Sequence, residues 1–142
     1  MPARDRHHDI VVRCLIQAGW SIIREQYAVV VAEDADNFRR LFIDIAAESQ
    51  AAQIVLIEVK VLDPSPVRQF MLLLGQYVVY RAALDYIGDR TPLYVAISEA
   101  DYELVIEQAL GQAVIRERLT EPIPFLIFDP VAEEIVKWIP PL

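Results

Sequence analysis

The 142-residue sequence predicts one α/β domain, spanning 1–142, in which helices flank a mixed central sheet. Helical apolar spacing at the start gives way to short runs of branched and aromatic residues. A second long helical stretch follows, and strand and helix patterns then alternate to the end. No polar break is long enough to be a linker, and neither a repeat nor a low-complexity tract interrupts the series.

From Asp5 to Ala18, the residues Ile10, Val11, Cys14, Leu15 and Ala18 fall on one helical stripe, and Gly19 stands where that helix would end. Trp20 to Ile23, Ala28 to Ala32, Leu41 to Ile45 and Ile54 to Val61 read as a meander counted as three strands, with EDADN and ESQ among the breaks. Ser65 then suits an N-cap and Pro66 a first helical turn. Val67, Phe70, Met71, Leu74 and Val78 continue the helical spacing to about Tyr86. Leu93 to Ser98 reads as a strand and Ala100 to about Leu119 as an amphipathic helix. Phe125 to Phe128 and Ile135 to Ile139 read as closing strands around DPVAEE. The resulting αβββαβ core has the element order of restriction-endonuclease-like folds.

Composition narrows the function. Hydrophobic residues make up 55% of the chain and the mean hydropathy is +0.30, an apolar excess that predicts a homodimer or an obligate partner. Charged residues nevertheless interrupt every apolar run before membrane-spanning length, and MPARDRHHD has no apolar stretch behind its basic residues. A cytoplasmic protein without a membrane partner is expected. Cys14 is the only cysteine, which excludes an internal disulfide and a cysteine-cluster zinc site. With 13 basic against 21 acidic residues the formal charge is −8, the wrong sign for holding nucleic acid through the overall field. There is no glycine-rich phosphate loop and no HExxH, so NTPase, dinucleotide-binding and metalloprotease readings lack support.

The constellation with chemical content is Asp44 near the end of one predicted strand and Glu58-Val59-Lys60 near the end of the next. Alternate strand residues share a face, so Glu58 and Lys60 point together and Val59 points away. Two carboxylates are hard oxygen ligands suited to Mg²⁺ or Mn²⁺, and a lysine beside them offsets charge growing on a phosphate. The plainer reading is a Glu58–Lys60 ion pair on a solvated sheet face. LFIDIAA and IVLIEVKV surround these groups with apolar residues, however, and central strands rarely bury such charges.

Four further residues are candidates for supporting roles. Gln76 and Tyr80 stand at i and i+4 on one helical face, placed to contact substrate or to pack as ordinary helix residues. A QxxxY pair following ExK is the arrangement of RecB-like nucleases. His7 and His8 point about 100° apart on a helix, so they cannot chelate one metal together, and His8 is the one taken to approach the site. Its alternative is a hydrogen bond to a neighbour. Glu48, four residues after Asp44, is a candidate additional ligand or a solvated turn carboxylate. Asp5 and Asp9 suit the positive end of the first helix.

MPARDRHHD, AGW, FIDIAAE, IEVK, SPVRQF, LGQYVVYR, LYVAIS and EEIVKWI together make the chain resemble the XisH-type fdxN element excision controlling factors of cyanobacteria, over nearly its whole length. That resemblance implies a role in the site-specific recombination that removes a DNA element as nitrogen-fixing cells differentiate, alongside a recombinase and a companion factor. The family is also similar to the PD-(D/E)XK nucleases. Asp44, Glu58 and Lys60 map onto their metal-site motif, and Gln76 and Tyr80 onto their helix motif. Ile43 stands where that motif has proline. Arg39, Arg40, Arg68, Arg81, Arg116 and Arg118 are scattered, so DNA binding is expected to be partner-assisted. The alternative is a catalytically silent interaction module acting through the companion factor.

Overall fold

The computed structural model describes residues 3–142, with side chains from Arg6 onward, so the expected role of Asp5 lies outside the described residues. The chain runs α1 (Ala3–Gln17), β1 (Ser21–Ala32), β2 (Phe38–Glu48), β3 (Ile54–Val59), α2 (Pro66–Tyr86) and β4 (Leu93–Ser98). It continues through α3 (Glu99–Asp101), a π-helical stretch (Tyr102–Ile106), α4 (Ala109–Glu117), β5 (Phe125–Asp129) and β6 (Glu134–Ile139). The strands form one six-stranded sheet in sequence order. Pairings are antiparallel from β1 to β3, parallel from β3 through β4 to β5, and antiparallel again to β6. This is the mixed α/β sheet the sequence predicts. Among the described residues no helix is long and apolar enough to cross a membrane.

The central strands read as nearly unbroken apolar runs because both sheet faces are covered. On one face α1 contributes Ile10, Val11, Cys14 and Leu15 to a core with Ile57, Val59, Tyr94, Ala96, Leu126 and Phe128. On the other, Phe70 and Leu73 of α2 join Val95, Ile97, Phe125 and Ile127, with Val105, Ile106 and Ile115 closing the layer. The far half of α2, through Ala83 and Leu84, packs with Val29, Ile43, Ala46 and Leu56 in a third cluster. Each such large side chain contributes about 1.5–3 kcal/mol on burial.

Both long helices stop the same way. Gly19 follows α1 at φ +91, its N–H reaching Ile16 O while the Trp20 N–H reaches Leu15 O. Gly88 repeats the pattern after α2 at φ +78, with Gly88 N–H on Asp85 O and Asp89 N–H on Leu84 O. These are Schellman closures, in which a residue without Cβ takes the left-handed position. Ala18, expected on the apolar stripe of α1, is exposed at this cap.

Several boundaries differ from the sequence reading, beginning with β2, expected over Leu41 to Ile45 but running over Phe38–Glu48, so that Asp44 lies inside the strand and Glu48 in its last position rather than in a turn. The gap between Ile23 and Ala28 is filled, because β1 absorbs a register shift between Ile22 and Arg24 and a positive φ of 56° at Gln26 without leaving the sheet. β3 stops at Val59 rather than Val61. The helix expected from Ala100 to Leu119 is broken into α3, the π-helical stretch and α4. At that break the chain doubles back so closely that a Cβ on Gly111 would sit 2.3 Å from the Val105 carbonyl oxygen. Side-chain amides then cover the carbonyls the break leaves over. Gln112 Nε2 donates to Ile106 O at 2.6 Å and Gln108 Nε2 to Glu103 O at 2.9 Å.

Candidate functional site

The β2–β3 ladder pairs Ile45 with Ile57 and runs back to Glu48 opposite Ile54. One step beyond its last pair, Asp44 stands opposite Glu58 where the strands part. There the Asp44 carboxylate replaces a ladder carbonyl, its Oδ2 accepting from the Val59 N–H at 2.8 Å. Lys60 follows immediately, and its N–H continues the parallel ladder onto Ala96 O at 2.9 Å. The sheet therefore brings Asp44, Glu58 and Lys60 to the C-terminal end of a parallel strand, the end at which open α/β sheets hold ligands.

Burial separates these acids from ordinary surface charges. Asp44 is 9% exposed and Glu58 3%, and with Ser98 they form the buried polar residues among those described. Ser98 has a structural task, since its hydroxyl caps α3 by accepting from the Asp101 N–H at 3.2 Å. Leu56 and Val59 around Glu58 pack into opposite cores, so the strand alternates there as expected and Glu58 shares the α2 side with Leu56. A carboxylate this deeply buried does not lie on a solvated sheet face.

Gln76 and Tyr80 line one cleft of about 400 Å³ with Leu41, Met71, Leu72 and Val79, between α2 and the outer part of β2. Gln76 Oε1 is buried and has no hydrogen-bond partner among the described residues. The cleft begins three residues before Asp44 on β2, about 10 Å along the strand.

Two supporting candidates lie elsewhere. Glu48 ends β2, four residues and about 13 Å from Asp44. Because β2 and β3 run antiparallel, moving forward from Asp44 moves away from Glu58. His8 Nε2 sits 2.6 Å from Glu25 Oε1, linking α1 to β1 in the neighbour hydrogen bond that was the alternative for it. It is His7 that turns inward. Its ring meets Phe128 edge-on at 5.7 Å, and its Nδ1 is buried without a partner among the described residues. Burial pushes the His7 pKa below its ordinary value, against the upward pull of Asp101 and Asp63. The clue in the sequence was that His7 precedes Ile10, Val11 and Cys14 at helical spacing, whereas His8 does so less closely.

Sequence reasoning also passed over Asp101, whose Oδ2 accepts from the Leu62 N–H at 3.0 Å and pins the loop after Lys60. Among the described residues no cluster of three or more His, Cys, Asp or Glu side chains could hold a metal. Any metal here would rest on Asp44 and Glu58 and take its other ligands from water or substrate. Such an all-oxygen set fits a hard divalent cation, which commonly keeps several waters.

Comparison with known proteins places the chain in a family. The crystal structure of an fdxN element excision controlling factor protein from Anabaena variabilis is similar at 29% identity and a TM-score of 0.81, over 96% of this chain and 99% of that one. An XisH family protein from Nostoc punctiforme PCC 73102 is similar at 27% identity and a TM-score of 0.81, over 94% and 98%. No curated protein sequence matches the chain. The family profile described as XisH protein matches residues 1–136, and the chain belongs to the XisH family.

Proposed function

We propose that this chain controls excision of a DNA element, as the name of its Anabaena relative describes, and that it does so on a restriction-endonuclease-like domain of the PD-(D/E)XK type. The observation that carries the nuclease part is the pair of buried acids set opposite each other where the β2–β3 ladder ends. Asp44 and Glu58 hold Mg²⁺ or Mn²⁺ in this reading, and Lys60 stands beside them to counter charge on a phosphate in attack. When bound, such a cation polarises a phosphodiester and lowers the pKa of an attacking water. The Val59 N–H holds one Asp44 oxygen and so orients the carboxylate, leaving Oδ1 available. Gln76 and Tyr80 face a neighbouring cleft where a strand would pass.

A second reading is favoured by α2, which exposes Val67, Met71, Leu72, Val78 and Val79 at half or more of their surface. Such a row suits a protein partner, either a second copy in a homodimer or a companion factor supplying the positive charge that a chain of −8 lacks. The site is then a silent inheritance and the protein an interaction module.

Calorimetric titration with Mn²⁺ and Mg²⁺ separates the two. Binding by the wild type that Asp44→Asn and Glu58→Gln each abolish, followed by metal-dependent cleavage of single-stranded, duplex or branched DNA, supports the nuclease. A wild type that binds neither ion leaves the interaction module.

A further inference from the structure

Helix α2 has a second flank. Tyr77, Arg81 and Asp85 repeat every four residues along it and wall a cavity of about 550 Å³, floored by Leu93 and Pro124 at the starts of β4 and β5. A basin of about 440 Å³ adjoins it, sharing Tyr77, Arg81, Asp85 and Glu121 and reaching Arg118 and Thr120. Both volumes fall in the range of small-molecule sites.

The wall is fixed before any ligand arrives. Arg81 donates through Nε to Asp85 at 3.1 Å, through Nη1 to Thr91 O at 2.8 Å and through Nη2 to Asp89 O at 2.8 Å. Asp89 is held in turn by the Thr91 N–H and hydroxyl and by the Tyr27 hydroxyl. Pro92, Pro122 and Pro124 stiffen the opposite side.

Other groups in the cleft are uncommitted. Among the described residues neither Arg90 nor Arg118 forms an ion pair, and both are exposed. The Tyr77 hydroxyl has no hydrogen-bond partner within the protein among the described residues. Burial keeps this hydroxyl protonated to higher pH than usual, so it remains a donor. Three guanidiniums thus face two carboxylates, Asp85 and Glu121, and Asp85 is already occupied by Arg81. The cleft is locally cationic in a chain whose net charge is −8.

We propose that this cleft binds a phosphate monoester carried on a small organic group, of the size and kind of a nucleoside monophosphate. The planar Arg90 guanidinium matches the paired oxygens of a phosphate, and Arg118 in the adjoining basin strengthens the attraction. Tyr77 contacts the organic part, and Glu121 accepts from an N–H on it. The same chemistry has two sources, a free nucleotide or the 5′-phosphate at the end of a nucleic-acid strand. The site is independent of Asp44 and Glu58.

The test is calorimetric titration with adenosine 5′-monophosphate, adenosine, inorganic phosphate, and a short oligonucleotide with and without its 5′-phosphate. Wild type, Arg90→Gln, Arg118→Gln and Asp44→Asn are compared, with thermal unfolding verifying that each is folded. Expected is saturable binding of the monophosphate that weakens at least tenfold without its phosphate or with Arg90→Gln, weakens severalfold with Arg118→Gln, and is unchanged by Asp44→Asn. Binding of the phosphorylated oligonucleotide with the same sensitivity to Arg90 makes a strand end the source. If it fails to bind while the monophosphate does, the source is the free nucleotide. No saturable binding of any phosphate probe at millimolar concentration overturns the proposal, as does binding that Arg90→Gln leaves intact.

Discussion

The acids at the end of the β2–β3 ladder and the arginines on the far flank of α2 are held in opposite ways. Asp44 and Glu58 are buried at 9% and 3% exposure, and strand register sets them opposite each other. Arg90 and Arg118 are exposed, and the cleft they border is assembled from a helix, two strand starts and a connection more than thirty residues further along the chain. Ladder register is a local property with a period of two, so the first arrangement can be anticipated from a few residues. The second needs the whole tertiary structure. Charges placed by register on buried strands are costly to bury, whereas exposed charges placed around a cleft cost little.

The largest expected effect tests whether the arginine cleft is as fixed as described. Arg81→Met removes the donors to Thr91 O, Asp89 O and Asp85, and is expected to lower unfolding free energy in urea by about 3 kcal/mol, since two part-buried hydrogen bonds and one exposed one from a charged donor are lost together. A loss below about 0.5 kcal/mol would mean the wall is soft and the contrast between the regions is drawn too sharply. A smaller effect separates structure from chemistry at the acids. Asp44→Ala leaves the Val59 N–H without its acceptor and should cost about 2 kcal/mol, whereas Asp44→Asn keeps an oxygen for it and should cost less than about 1 kcal/mol. If metal binding exists, both variants lose it.

The same contrast explains what the sequence disclosed. The α1 stripe as far as Leu15, the Pro66 start of α2, the bounds of β4 and the placing of Asp44 beside the end of β3 all follow from short-range periodicity, and all are present. What stayed hidden depends on distant contacts. The break before α4 arises because Gly111 meets the carbonyls of Val105 and Ile106 across a fold-back, not from a helix-breaking residue at the break. His7 and His8 are identical in type and adjacent, and the helical spacing that favours His7 is a weak signal beside the positions of Phe128 and Glu25, which the structure supplies. The Arg81 network joins a helix to the loop before β4 mainly through backbone carbonyls, which leave no mark in residue type.

His7 gives a pH test of the inward placement. Its folded pKa lies below the ordinary 6.5, with burial the first cause. The unfolded chain therefore binds the proton more readily, so the His7 contribution is fully present above pH 6.5 and is lost as pH falls through the folded value. Urea midpoints measured from pH 7.5 to 5 should fall in the wild type and in His8→Gln, and should flatten in His7→Gln. The reverse assignment, with His8→Gln flattening the profile, would place the wrong histidine inside.

The smallest expected effect sharpens the division of β2 itself. Glu48 and Asp44 share a strand and an acidic side chain, but Glu48 closes the ladder opposite Ile54 while Asp44 lies beyond its other end. Glu48→Gln keeps the size of the side chain and the strand pairing, so stability should stay within about 0.5 kcal/mol of wild type. Any Mn²⁺ affinity should stay within about twofold, because a ligand about 13 Å along the strand cannot share an ion with Asp44. An Mn²⁺ affinity that fell as far in Glu48→Gln as in Asp44→Asn would require the two ends of the ladder to meet around one ion. The register forbids this unless β2 bends between them, so the experiment tests the geometry of the strand as much as the role of one carboxylate.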